Sequence, residues 1–145
     1  MTYKIRKLGF SIALIISWML TGCGTNTPTL GFAPTQQLVQ KAIALQVSQT
    51  QQQLTQQLQS LPSKLEITQV KLKQIEPLFL GDLATYRVLG TYSLTIKLPR
   101  QRVTQQNNPF DLYLQRQKEG KTWRLAVPQA LDQGKPSSWR TYLIR

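Results

Sequence analysis

The sequence contains no histidine, a single cysteine and few acidic residues, and each scarcity excludes a class of chemistry. Without histidine the chain has no Ser-His-Asp triad, no Cys-His pair and no histidine-ligated metal site. A lone cysteine forms no intrachain disulfide and no thiolate cluster for zinc. We therefore expect no metal site, no cofactor and no enzymatic activity.

The first 22 residues are typical of an export signal rather than of a folded domain. Lys4, Arg6 and Lys7 form a short basic region, and the uncharged stretch 8–20 follows it. As a helix this stretch would span roughly 20 Å, whereas the hydrocarbon core of a bilayer is about 30 Å thick. A basic start, a short apolar run and then small residues together indicate a secretory signal.

The residues that end this signal are Leu20, Thr21, Gly22 and Cys23. They resemble the lipobox of bacterial lipoproteins, in which an aliphatic residue and two small residues precede a cysteine. In that family the signal is cut before the cysteine, whose sulfur carries a diacylglyceryl group. The resemblance implies an exported protein that is anchored to a bacterial membrane, the outer membrane being one candidate, through lipid on Cys23. The alternative is a free or buried cysteine in a signal anchor.

The exported part divides into a tether and one domain. Residues 23–34 contain the anchored cysteine and a small, polar, Pro- and Gly-rich stretch, which predicts a tether. Residues 35–145 are enough for a single domain with its own core. Loss of the three basic signal residues lowers the formal net charge from +12 to +9.

Residues 35–61 predict one long helix, with Thr35 as its N-cap and Pro62 as its stop. Its apolar residues recur at helical spacing and form one stripe: Val39, Ile43, Val47, Leu54, Leu58 and Leu61. The opposite face is almost all glutamine, which indicates either a solvated helix face or a glutamine-rich interaction segment.

From Leu65 onward the apolar period changes to two, which predicts antiparallel strands. The first contains a register slip that predicts a bulge, and the longest covers 84–98, with a bend or bulge at Gly90. A polar loop is predicted over 99–109. The remaining strands are predicted near 110–115, 123–127 and 139–144, with a hairpin turn at 119–121, an end at Pro128 and a second loop up to Pro136.

This order predicts an α+β fold, with one long N-terminal helix packed on a curved antiparallel sheet of four to five strands. The order of elements and the segments 84–92 and 120–125 resemble the cystatin-like cone, the architecture of the nuclear-transport-factor-two-like superfamily. The resemblance covers residues 35–145 and implies an apolar pocket between sheet and helix. Some members of that superfamily are isomerases, and many are not catalytic.

Aromatic residues on the predicted inward side of the strands are the candidates for such a pocket: Tyr86, Tyr92, Phe110, Trp123 and Trp139. They would hold a small apolar or aromatic ligand, and the alternative is ordinary aromatic core packing. An isomerase-type site would also need an inward carboxylate beside a tyrosine hydroxyl. Alternation and turn signals place the acidic residues outward or in loops, except Glu76, whose position stays open.

The charge is one-sided, with 18 Lys and Arg residues against 6 Asp and Glu residues. Basic residues that alternate with inward positions, or that follow them in a loop, are candidates for an anion-binding face: Arg87, Lys97, Arg100, Arg102, Arg124 and Arg140. Nucleic acid is the usual partner of so basic a small protein, but export argues against it here. An anionic envelope polymer or a membrane protein remains as partner, and an ordinary solvated surface is the alternative.

These patterns predict a non-catalytic, membrane-anchored lipoprotein that acts as a binding or scaffolding module on the exported face of a bacterial membrane. The second hypothesis is a carrier of a small apolar or aromatic ligand in the aromatic pocket. An isomerase-type enzyme is the third.

Overall fold

The computed structural model describes residues 26–58, 64–132 and 135–145, and these form an α+β fold. One helix, α1 (Gln36–Leu58), packs on a five-stranded antiparallel sheet, as predicted. The strands follow one another across the sheet in chain order: β1 (Lys64–Leu80), β2 (Leu83–Lys97), β3 (Arg102–Arg116), β4 (Trp123–Asp132) and β5 (Lys135–Leu143). The helix is not N-terminal, contrary to the prediction, because a segment with a 3₁₀ turn at Leu30–Phe32 precedes it.

The helix is fixed to the sheet mainly through its first half. The hydroxyl of Thr35 accepts a hydrogen bond from the Leu38 N–H at 3.3 Å, which confirms the predicted N-cap. Val39 and Ile43 are buried in the core, whereas Leu54 on the same stripe is 50% exposed. The second half of the helix therefore covers the sheet less closely. The predicted end of the stripe at Leu61 and Pro62 lies outside the described residues, as does the lipobox at 20–23.

Two glutamines of α1 bind the edge strand of the sheet. The side-chain amide of Gln36 donates to the Val70 carbonyl at 2.7 Å, and that of Gln40 donates to the Ile67 carbonyl at 2.8 Å. These carbonyls lie on either side of Gln69, which adopts a φ of 50°. The glutamine-rich face is therefore not wholly solvated, since part of it satisfies the backbone of an edge strand that has no neighbouring strand on this side among the described residues.

The bulge predicted in the first strand is confirmed, and the extra residues lie in β1 rather than at Gly90. The register of β1 against β2 shifts between Thr68 and Lys71 and again between Leu72 and Gln74. Gly90 lies opposite Leu72, between these shifts. A Cβ atom at Gly90 would press on the Lys71 carbonyl oxygen and lie 2.6 Å from Cζ of Phe110, so the close approach of the backbones requires glycine.

Two predicted loops are wrong, because the chain continues as strand. β3 begins at Arg102, so the predicted loop 99–109 shrinks to a turn closed by the Leu98 N–H and the Gln101 carbonyl at 2.9 Å. The polar residues at the start of β3 belong to the sheet because their backbones pair with β2. Hydrophobic alternation gives no sign of such backbone pairing. β4 runs through Pro128, where a register shift against β5 accommodates the proline.

Among the described residues, all five strands lie side by side only where β3 pairs with β4, along Tyr113–Arg116 and Trp123–Ala126. Across this ladder the inward residues Tyr86, Leu114 and Leu125 lie side by side, and each is almost wholly buried. We call the helix side of the sheet the inner face and the other side the outer face. The core lies on the inner face, between this row and the first half of α1.

The predicted phase of the last strand is also wrong. Tyr142 is paired with Leu125 and packs against the core, so it faces inward. Trp139 and Thr141 have the opposite parity and lie on the outer face, where Thr141 binds Arg124. Both sets of β5 side chains include large apolar residues, so alternation alone does not choose between them; pairing with β4 does.

Gly90→Ala is expected to lower the free energy of unfolding by about 1–3 kcal/mol, because the added methyl group overlaps backbone and ring atoms. Urea denaturation followed by circular dichroism measures this loss. Gly31→Ala is the matched control, since no atom lies within 4 Å of its Cβ position. Equal stability of the two variants would contradict the close-approach argument.

Candidate binding surfaces

The structure packs the best buried of the predicted pocket residues, Tyr86, into the core. Its ring lies 5.9 Å from that of Trp123, and its hydroxyl donates a hydrogen bond to the Thr29 carbonyl at 2.6 Å. Burial raises the pKa of Tyr86, which keeps the phenol protonated and able to donate. The side chain is thus occupied as a core residue and as an attachment point for the N-terminal segment.

Tyr92 borders an open groove between the second half of α1 and the end of the sheet where β1 begins and β2 ends. The groove has a volume of about 450 Å³, and its apolar lining includes Val47, Leu54, Leu65, Leu94 and Ile96. Phe110 is buried beside this groove, and its ring centroid lies 6.4 Å from that of Tyr92. The groove exists because the apolar stripe of the helix is less closely covered here than at its start.

The two remaining aromatic candidates lie elsewhere. Trp123 borders a separate groove near Phe32 and Arg116, at the opposite end of the sheet from the groove of Tyr92. Trp139 lies on the outer face, edge-on to Tyr113 at 4.8 Å between ring centroids. The five predicted pocket residues are therefore divided among the core, two grooves and the outer face.

An acidic cluster holds Arg87 in the middle of the outer face. Asp111 accepts hydrogen bonds from Arg87 at 2.9 and 2.6 Å, and a carboxylate oxygen of Glu76 lies 3.5 Å from the same guanidinium. The hydrogen bond and the charge of Asp111 raise the pKa of Arg87. Glu76, whose position the sequence left open, thus faces outward and away from the inner-face tyrosines.

The remaining acidic side chains offer no metal centre within the described part of the chain. Glu66 binds Lys97 on the outer face, while Asp82 and Glu119 lie at turns. Among the described residues, no group of three His, Cys, Asp or Glu side chains is placed to hold a metal ion.

Three arginines of the predicted basic face differ in their binding partners or in the face of the sheet on which they lie. Arg87 is neutralised by its two carboxylates, and Arg124 donates to the Thr141 hydroxyl at 2.9 Å. Arg140 pairs in register with Val127, which places it on the inner side of the sheet, at an exposed position. These three arginines do not form one anion-binding surface.

The other predicted cations lie at the end of the sheet where β1 begins, β2 ends and β3 begins. Lys64, Lys97 and Arg102 are direct neighbours across the three strands, and Arg100 lies in the adjoining turn. We call these four residues the basic tip. Glu66 is the acid among them: a hydrogen bond from Lys97, and the charges of Lys97, Arg102 and Lys64, lower its pKa. Lys64 was not among the predicted cations, because its place beside Lys97 follows from the strand register.

Part of the predicted tether is docked on the domain. We call residues 28–34 the N-terminal strap. Pro28 and Pro34 are buried, and Thr29 is bound by Tyr86. The guanidinium of Arg116 lies 4.4 Å from the ring centroid of Phe32. The composition of this stretch favours a free linker, so its docking follows only from the contacts in the structure.

Comparisons with protein-family models, with curated proteins and with solved structures give no match. Within the described residues, no helix combines the length and the apolarity that a bilayer crossing requires. The resemblances to the lipobox and to the cystatin-like cone therefore rest on sequence patterns alone.

Tyr86→Phe is expected to lower the free energy of unfolding by about 0.5–1.5 kcal/mol, because it removes the hydroxyl donor and leaves the Thr29 carbonyl with only the longer bond from the Phe32 N–H at 3.3 Å. Urea denaturation measures this effect. Thr29→Ala is the matched control, since it keeps the acceptor carbonyl and alters only an exposed side chain. A Tyr86→Phe protein as stable as the control would refute the role of the hydroxyl in holding the strap.

Proposed function

We propose that this protein is a non-catalytic, lipid-anchored binding module on the exported face of a bacterial membrane. The lipobox at 20–23 supports the anchor, and the basic tip supports binding of an anionic partner. The observation that carries the proposal is the separation of the two. The chain enters the domain at one end of the sheet, and the basic tip lies at the other.

The length of β2 sets this separation. The strap is bound at Tyr86, and Lys97 at the tip lies eleven residues further along the same strand. At the rise of an extended strand this corresponds to about 36 Å. A lipid on Cys23 would therefore hold one end at the membrane and leave the tip free for an anionic envelope polymer or an acidic protein surface.

The cystatin-like cone is part of this proposal. A long helix over an antiparallel sheet supports that architecture. The groove beside Tyr92 would then be the counterpart of the cone's pocket, and its volume of about 450 Å³ falls within the range of small-molecule sites. A carrier of a small apolar ligand is accordingly the second candidate function, with the ligand held between Tyr92 and Leu54.

Cys23→Ser is expected to abolish lipidation, because a serine accepts no thioether-linked lipid. The protein should then appear in the soluble fraction or as a precursor that keeps its signal. Membrane fractionation of the producing cells, with mass spectrometry of the N-terminal peptide, measures this change. Thr25→Ser is the matched control two residues away. A wild-type N-terminal peptide that carries no lipid on Cys23 would refute the anchor.

Loss of charge at the basic tip is expected to weaken binding to a polyanion. Arg100→Gln combined with Arg102→Gln should reduce the affinity for dextran sulfate by about tenfold, at up to about 1 kcal/mol for each charge. Lys118→Gln combined with Lys121→Gln removes the same charge from the opposite end and should have a smaller effect. Titration by isothermal calorimetry distinguishes them, and equal losses would indicate binding by net charge alone.

A further inference from the structure

The end of the molecule where the strap docks carries exposed apolar side chains. Leu30 and Phe32 are 60% and 57% exposed, although the strap to which they belong is docked on the domain. The guanidinium of Arg116 lies over one face of the Phe32 ring, so this ring is held in place rather than hanging free.

The turn between β3 and β4 is fixed beside the same ring. Its backbone is closed by a hydrogen bond from the Gln117 N–H to the Thr122 carbonyl at 2.9 Å. Arg116 also donates to the Gly120 carbonyl at 3.1 Å, which ties the turn to the strap through one side chain. The turn exposes Lys118 and Lys121, and the acids Glu119 and Asp82 lie at the same end of the sheet.

We call Leu30, Phe32, Arg116, Lys118 and Lys121 the anchor end. Five peptide links separate Cys23 from Pro28, so the chain between them reaches at most about 18 Å. An acyl chain on Cys23 would thus keep the anchor end close to the headgroup layer. Exposed apolar side chains beside long basic ones are the combination found in proteins that lie in a bilayer interface.

We propose that the anchor end is a membrane-contact surface for an anionic phospholipid leaflet, a proposal that rests on the proposed lipid anchor at Cys23. Leu30 and Phe32 enter the interface, and Lys118 and Lys121 contact lipid phosphates. The sheet then stands on this end, with the basic tip directed away from the bilayer.

The test places a tryptophan at each end of the lipidated protein. Phe32→Trp and Val103→Trp are matched, because both positions are exposed and Val103, 41% exposed, lies beside the basic tip. Each variant is reconstituted into vesicles of phosphatidylcholine and phosphatidylglycerol with brominated acyl chains. Relative to wild type, the Phe32→Trp emission should shift to the blue and lose intensity, and the Val103→Trp emission should do neither.

Charge reversal supplies a second measurement. In the Phe32→Trp protein, Lys118→Glu with Lys121→Glu should reduce the quenching, whereas Arg100→Glu with Arg102→Glu should leave it unchanged. Vesicle flotation separates the two levels of the proposal. Protein that does not float refutes the anchor itself. Floating protein with an unquenched Phe32→Trp, or with both tryptophans quenched, leaves the anchor intact and overturns the standing orientation.

Discussion

The short ladder between β3 and β4 is the constraint on which the rest of the structure depends. In the part of the chain that the structure describes, the first three strands pair with the last two through Tyr113–Arg116 and Trp123–Ala126 alone. The inner side of this ladder carries the most buried row of the core, and beyond it the two parts of the sheet separate. The connection between the two parts of the sheet and three almost wholly buried core side chains therefore lie in the same region, close to the turn that touches the strap.

The same region connects the core to the N-terminus. Tyr86 lies in the buried row and reaches the Thr29 carbonyl, while Arg116, the last residue of β3, lies over Phe32. The strap is thereby held by a neutral hydrogen bond from the core and by a cation–π contact from the sheet end. A segment whose composition is that of a linker becomes part of the domain surface, and this gives the proposed anchor a defined point of entry.

The sequence allowed the helix, its cap and the long strand β2 to be predicted, because each buries one face at a regular period. It did not reveal β3 before Phe110, since residues such as Gln105 are exposed and are held by backbone pairing. The phase of β5 failed for the related reason that its register is set by β4. Three of the four cations of the basic tip were predicted as part of an anion-binding face. Their grouping with Lys64 required the strand register.

The division of charge along the sheet follows from where the acids lie. Glu76 and Asp111 bind Arg87 in the middle of the outer face, whereas the four cations of the basic tip share one acid, Glu66. At physiological ionic strength the field of an exposed charge decays over about 8 Å, far less than the roughly 36 Å from Tyr86 to Lys97. In the proposed orientation the charge of the basic tip is thus screened from the leaflet below. It acts instead on whatever anionic surface comes within contact distance above it, which is the arrangement that a module binding a second envelope component requires.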